Sequence, residues 1–325
     1  MNHLQKHLSA SLIALAALTV APMAAWAATA PSLGTASGYS VVGGTAVTAS
    51  SSTITGDVAS ATAISLTTST ITGNLVYNGA ITVTPPSAIT GTTTQSATVP
   101  AAVVGALNSA WTSVQSVPCT DTTTLAGATI TGPVTLAPGV YCTSTALTGA
   151  GVLTLDARGN PNAVWIFRIG GALTGTGFSV MMANGGQPCN VFWVPGADVT
   201  MTTSAFSGNI LAGANGPGYA AGGSITLNYG TLAGRALANH AVTMTGANII
   251  GCSALPGSSS TCKGNDHDGD NEGHHGDKDH EKCNQGVGNG SEGCDPGNSN
   301  QGNPFNSNDE NGGKPGDPGR KGGNN

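Results

Sequence analysis

Three short segments, Val199-Thr200-Met201-Thr202, Ile225-Thr226-Leu227-Asn228 and Val242-Thr243-Met244-Thr245, each alternate an apolar residue with a hydroxyl or an amide. Alternation with period two sends successive side chains to opposite sides of a strand. Val199, Met201, Ile225, Leu227, Val242 and Met244 are therefore expected to stack inward, with their Thr and Asn neighbours in rows outside. The segments recur at intervals of roughly 17 to 26 residues with glycine at the corners, the pattern of β-solenoid coils. One coil cannot bury its apolar side alone, so coils must stack. Thr-Ile-Thr-Gly at Thr53–Gly56, Thr70–Gly73 and Thr129–Gly132, with the related Ala88-Ile89-Thr90-Gly91, carries the pattern towards the N-terminus. A β-sandwich is also built from short strands with turn signals and stays open on this pattern alone. Variable coil length favours an irregular solenoid.

Pro100 to Ser116 interrupts the alternation. It is Ala-rich, with Val103, Leu107, Trp111 and Val114 at helical spacing. Pro100 suits a helix start and Pro118 closes the segment. The spacing predicts one helix packed along the solenoid, its apolar stripe serving as core.

The two ends read differently. Lys6, the apolar stretch Leu8 to Val20 and Ala25-Trp26-Ala27 have the layout of a secretory signal with an A-x-A cleavage site. The stretch is short and Ala/Ser-rich for a membrane helix, an uncleaved anchor being the alternative. Residues 1–27 are thus expected to be a signal peptide and 28–256 the β-solenoid domain of a secreted, extracellular protein with no membrane span when mature. Residues 257–325 are rich in Gly, Asn, Asp and Pro and nearly free of apolar side chains. Such a tail cannot offset its ordering entropy by burial and is expected to be disordered.

Charge separates body from tail. The chain is only 8% charged, against about 25% in ordinary domains. Between Ala28 and Pro256 the acids are Asp57, Asp121, Asp156 and Asp198, and the bases are Arg158, Arg168 and Arg235. There is no basic stripe of the kind nucleic acid requires. The scattered acids do not form a hydrolytic carboxylate pair, and Asp156 reads as an Asx turn or a partner of Arg158. No nucleophile elbow, phosphate loop or Cys–His pattern is present, so no enzyme activity and no cofactor are expected.

Seven cysteines in an exported chain point to disulfides. Cys119, Cys142, Cys189 and Cys252 allow three pairings. Cys119 with Cys142 and Cys189 with Cys252 is the expected set, because each pair brackets a compact segment. Cys283 and Cys294 could close a loop in the tail. The tail also carries Asp266, Asp268 and Asp270, like an EF-hand start, with His274, His275 and His280 beyond, ligand types suited to divalent metals. Asn271 stands where that motif needs glycine and Asp277 replaces its terminal Glu, so a solvated acidic tail is the favoured reading.

From Leu136 to Cys252 the chain resembles the ice-binding-like family of secreted bacterial and fungal proteins. The resemblance rests on Ala137-Pro138-Gly139-Val140-Tyr141, Leu153-Thr154-Leu155-Asp156, Asn160-Pro161-Asn162-Ala163-Val164-Trp165-Ile166-Phe167-Arg168-Ile169 and Asn190-Val191-Phe192-Trp193-Val194. Phe206-Ser207-Gly208-Asn209-Ile210-Leu211-Ala212 and Gly234-Arg235-Ala236-Leu237-Ala238 continue it, and Leu33 to Tyr39 with Ile54 to Val58 look like the family's opening coil. The resemblance implies a discontinuous triangular β-solenoid with a long helix alongside. It also implies one flat face of Thr, Ser and Ala that orders water into an ice-like array, often marked by Thr, Ala or Gly, any residue, then Thr or Asn. Thr45-Ala46-Val47-Thr48 and Thr245-Gly246-Ala247-Asn248 match that motif, whereas His240-Ala241-Val242-Thr243 has His in place of the first Thr.

Ice as partner suits an uncharged surface. Threonine presents a hydroxyl and a methyl on a stiff side chain, and strands about 4.8 Å apart can approximate a lattice repeat. Thr200, Thr202, Ser224, Thr226, Asn228, Thr243 and Thr245 are the candidate ice-contacting residues. The alternative is a cell-surface or matrix adhesion module that uses the same scaffold on an extracellular glycan.

Overall fold

The computed structural model describes residues 28–213 and 223–255. Period-two segments there form twenty-two strands joined in one curled sheet. After a 3-10 turn at Gly34–Gly38, the chain winds through β1 (Tyr39–Gly43), β2 (Ala46–Ser50), β3 (Thr53–Thr55), β4 (Asp57–Ser60) and β5 (Ala63–Thr67). It continues through β6 (Thr70–Thr72), β7 (Leu75–Tyr77), β8 (Ala80–Thr84), β9 (Ala88–Ile89) and β10 (Thr93–Gln95) to helix α1 (Thr98–Gln115). Beyond α1 come β11 (Thr129–Ile130), β12 (Val134–Leu136), β13 (Gly139–Thr143), β14 (Leu147–Gly149) and β15 (Val152–Asp156). Then follow β16 (Trp165–Ile169), β17 (Leu173–Thr176), β18 (Ser179–Ala183) and β19 (Val191–Pro195). Three longer strands finish the body: β20 (Val199–Ala212), β21 (Ile225–Ala238) and β22 (Ala241–Ile250).

Every strand pair among the described residues is parallel, which a sandwich of antiparallel sheets would not give; the chain is a triangular β-solenoid. Face A stacks β13, β16, β19, the last parts of β20 and β21, then β1, β4, β7 and β10. Face B stacks β11, β14, β17, the first parts of β20, β21 and β22, then β2, β5 and β8. Face C stacks β12, β15, β18, the middle of β20 and β21, the end of β22, then β3, β6 and β9.

The stacking order differs from the chain order. β21 and β22 lie against β1, β2 and β3, so the last coils sit on the first. The chain therefore leaves one end of the stack after β10 and re-enters at the other end with β11. A helix of 18 residues rises about 27 Å, most of that journey, and α1 makes it along face A.

Face A is consequently buried on both sides, except at its terminal strand β10, whose residues are exposed. Inward, Tyr141, Phe167 and Trp193 stack in register with ring centroids 5.5 and 3.9 Å apart, and Phe206 lies 4.8 Å from Trp193. Outward, Val42, Val140, Ile166, Phe192, Leu211 and Leu237 meet Val103, Leu107, Trp111 and Val114 of α1. Two-sided burial accounts for unbroken apolar runs such as Val191-Phe192-Trp193-Val194. Trp111 donates its indole N–H to the Pro195 carbonyl at 2.9 Å, locking helix to sheet. The helix begins at Thr98, two residues before the proline expected to open it. The reason is Ser96, whose hydroxyl accepts the Val99 N–H at 3.2 Å and leaves Pro100 within the first turn, where no N–H is missed.

Two disulfides tie down the connections: Cys119–Cys142 anchors the segment after α1 to β13, and Cys189–Cys252 fastens the chain beyond β22 to the turn before β19. Beside the second, buried Asn209 donates to the carbonyls of Cys189 and Val191 and accepts from Arg235, whose guanidinium also holds the Ser37 carbonyl. Burial without a carboxylate partner pushes the Arg235 pKa down to about 10.

Candidate functional site

The three faces differ in what they offer to solvent. Face A is covered by α1. Face C mixes threonines with apolar side chains, and Val152 and Met181 are 38% and 54% exposed on it. Face B is uniform. Its inward positions, among them Val47, Ile64, Leu147, Leu173, Val199, Ile225 and Val242, are buried, except in the terminal layer, where Val83 is 39% exposed. Its outward positions form ladders running the length of the stack.

The first ladder reads Thr129, Thr148, Thr174, Thr200, Thr226, Thr243, Thr48, Ser65 and Thr82, one residue from each successive layer. Two residues further along the strands a second reads Thr176, Thr202, Asn228, Thr245, Ser50, Thr67 and Thr84. On the other side of the first, small residues continue the surface as Ala241, Ala46, Ala63 and Ala80, with Ser224 and Asp198 preceding them in the neighbouring layers. Strand geometry sets these groups on a grid of about 4.8 Å across strands and about 6.7 Å along them. Among the described residues, no side-chain hydrogen bond engages a hydroxyl of the first ladder. Each hydroxyl is therefore available to something outside the protein.

The backbone beneath the second ladder is held by a device at the corner between faces B and C. Thr203, Tyr229, Gly246, Ser51 and Thr68 stack there in the left-handed conformation, with φ between 47° and 61°. At Gly246 a Cβ would come within 2.5 Å of the Tyr229 ring, so a side chain there would displace that ring. Just inside the corner, Ser52, Ser69 and Ser204 return their hydroxyls to the carbonyls of Ser50, Thr67 and Thr202 at 2.8 to 3.0 Å. The same oxygens accept N–H groups from adjacent layers: Ala247 onto Ser52, Ser52 onto Ser69, and Phe178 onto Ser204. This internal serine ladder couples one layer to the next and keeps the outer rows aligned.

The four acids of the body are each occupied locally. Asp198, at the rim of face B, accepts the N–H groups of Gly223 and Ser224, both at 2.9 Å. Asp57 accepts from Asn74, and Asp156 from Asn184 and the Arg158 N–H in an Asx turn. Hydrogen bonds from Asn184 first, and then from Arg158, hold the Asp156 carboxyl below its ordinary pKa. Asp121 accepts from the side chain and backbone of Thr124 and of Thr123, which lowers its pKa to about 2.

Thr200, Thr202, Ser224, Thr226, Asn228, Thr243 and Thr245 all lie on face B. Sequence reasoning reached Thr48 only through the Thr45–Thr48 motif and missed Ser50, Ser65, Thr67, Thr82, Thr84, Thr129, Thr148, Thr174 and Thr176, although Thr174-Gly175-Thr176 and Thr82-Val83-Thr84 repeat the same alternation. Of the two motif matches, Thr45-Ala46-Val47-Thr48 places Ala46 and Thr48 on face B, whereas Thr245-Gly246-Ala247-Asn248 turns the corner and puts Asn248 on face C. The Thr-Ile-Thr-Gly copies also divide: Thr53 and Thr70 lie on face C and Thr129 on face B.

The tail ligands Asp266, Asp268, Asp270, His274, His275 and His280, together with Cys283, Cys294 and residues 1–27, fall outside the described residues. Within the described residues no group of His, Cys, Asp or Glu is clustered to hold a metal. No helix there is long and apolar enough to cross a membrane.

A family model described as Ice-binding-like matches residues 41–250, nearly the whole solenoid. An ice-binding protein of Nostoc sp. (strain HG1) is 36% identical over 240 residues, covering 72% of this chain and 79% of its own. Among solved structures, an ice-binding protein from the Antarctic ascomycete Antarctomyces psychrotrophicus superposes with a TM-score of 0.54 at 26% identity, over 68% of this chain and 97% of that one. Another, from an Antarctic biological consortium, gives 0.53 at 28% identity, over 71% and 96%. This chain belongs to the ice-binding-like family.

Proposed function

We propose that the protein is a secreted ice-binding protein that adsorbs to ice through face B and thereby restrains crystal growth. The observation that carries this reading is the nine-layer ladder from Thr129 to Thr82, whose hydroxyls make no hydrogen bond among the described residues. Ice offers no ion to grip, only a periodic array of hydrogen-bonding oxygens. A rigid grid of hydroxyls and methyls matches such a surface, and each threonine carries one of each. Stiff χ1 torsions and a sheet backbone mean that little freedom is lost on docking. The charges of the body stay off the grid: Asp198 lies at the rim, with its carboxylate tied to backbone N–H groups.

Family membership supports ice as the partner, and the leader-like residues 1–27 support export. Adsorption is a binding function, consistent with acids that are each engaged in separate turns. The test is incorporation of the purified full-length mature protein into growing ice, with grain size followed during annealing. Exclusion from ice by a protein with native β circular dichroism would overturn the reading.

A further inference from the structure

Away from face B, the corner between faces A and B near the C-terminal end of α1 holds a cleft of about 680 Å³. Gln115, Thr122, Thr143, Ser144, Thr145 and Arg168 line it. That volume falls within the range of small-molecule sites. Its walls mix hydroxyls, an amide and a guanidinium with the apolar groups of Ala126, Cys142 and Ile169.

Arg168 is out of keeping with its surroundings. It occupies the outward row of face A that otherwise reads Cys142, Val194, Leu211, Leu237, Val42 and Ala59 in successive layers. The fold places apolar side chains along this row because α1 covers it, yet here it places a cation. No carboxylate of the described residues forms an ion pair with it, and nearby Asp121 is committed to Thr123 and Thr124. A guanidinium has five N–H donors. One nitrogen, Nη1, is held by the Val117 carbonyl at 2.6 Å and lies 3.6 Å from Cys119 Sγ, while Nε is buried without a partner. The group is thus positioned but undersatisfied. Its setting is rigid, since the Cys119–Cys142 disulfide and the Asp121 turn fix one wall.

We propose that this cleft binds an acidic saccharide, with Arg168 taking a carboxylate or sulfate and the surrounding hydroxyls taking sugar hydroxyls. A guanidinium forms charge-assisted hydrogen bonds to the oxygens of either anion. Several hydroxyl donors and acceptors around one cation suit a ligand that is itself polyhydroxylated and singly charged per unit. The site is separate from the ice-adsorbing rows, so either proposal can fail without the other.

The experiment is calorimetric titration of the full-length mature protein with an oligogalacturonate, a sulfated oligosaccharide, a neutral oligosaccharide of equal length, and inorganic sulfate. Arg168→Gln and Thr145→Tyr are titrated in parallel, and native fold is checked by circular dichroism. Binding of either acidic oligosaccharide with no heat from the neutral one is expected, and the two acidic probes distinguish carboxylate from sulfate. Arg168→Gln should weaken it by roughly tenfold or more, the loss of a charge-assisted contact. Thr145→Tyr, which intrudes at the exposed rim, should also weaken it and answers the question if Arg168→Gln does not fold. Absence of binding by both acidic probes, equal binding by the neutral one, binding unchanged in the folded variants, or inorganic sulfate bound as tightly as the saccharide would each overturn the proposal.

Discussion

Thr243, in the last long strand, lies in register beside Thr48, in the second strand of the chain. Through this pair the threonine ladder crosses from the C-terminal coils to the N-terminal ones and becomes a single surface.

The centre of that surface should be the most sensitive place on the molecule for ice adsorption. Thr226→Tyr or Thr243→Tyr raises a ring above the grid and holds neighbouring residues away from the lattice, where dispersion and hydrogen bonding fall off within an ångström. Ice-recrystallisation inhibition, measured by grain size against concentration, should drop by roughly tenfold or more, the effect of about 1.4 kcal/mol. Thr154→Tyr on face C should leave it unchanged, and all three variants should melt within a few degrees of the parent.

Continuity across the seam makes a separate claim. Thr48→Tyr should impair ice activity as strongly as Thr226→Tyr, because both lie mid-ladder. Thr82→Tyr, in the terminal layer, should impair it less. If Thr48→Tyr were silent in the same grain-size assay, the adsorbing surface would stop at the C-terminal coils.

Ser52 tests the internal serine ladder. Its hydroxyl accepts the Ala247 N–H and donates to the Ser50 carbonyl, both in a buried corner. Ser52→Ala leaves that N–H unpaired and should cost about 1–3 kcal/mol. The measurement is the shift in urea midpoint at constant slope. Since the corner aligns Ser50 with Thr245 outside, ice activity should fall as well, even at temperatures where the variant is fully folded.

Acid stability should carry the signature of Asp121. Hydrogen bonds from Thr124 and Thr123 lower its folded pKa to about 2 from 3.8. A depressed carboxylate pKa contributes stability above the unfolded value that is lost as pH falls through the folded one. Thermal midpoints should therefore decline between pH 4 and pH 2, and the decline should be shallower in Asp121→Asn. The group is exposed, so the effect is small. An identical pH profile for parent and variant would dismiss the contribution.

Much of this was legible in the chain. Val199-Thr200-Met201-Thr202 and its two counterparts revealed strands, their buried sides and their hydroxyl rows, because side-chain alternation is a local property of an extended backbone. The helical stripe of Val103, Leu107, Trp111 and Val114 was legible for the same reason, and all four are buried. Its first residue was not, since Ser96 rather than Pro100 opens the helix. The pairings Cys119–Cys142 and Cys189–Cys252, expected because each pair brackets a compact segment, are the ones the structure forms.

What the sequence by itself determined is the coil: an apolar interior, an uncharged threonine exterior and a helix between two sets of strands. Only the tertiary structure decided which threonines share a surface. Thr53 and Thr129 open the same four-residue motif, yet one lies on face C and the other on face B. The difference arises because strand edges pair by exposed backbone groups, which carry no record of chain order. The crossing made by α1 brings the edge of β2 to that of β22, and with it Thr48 to Thr243.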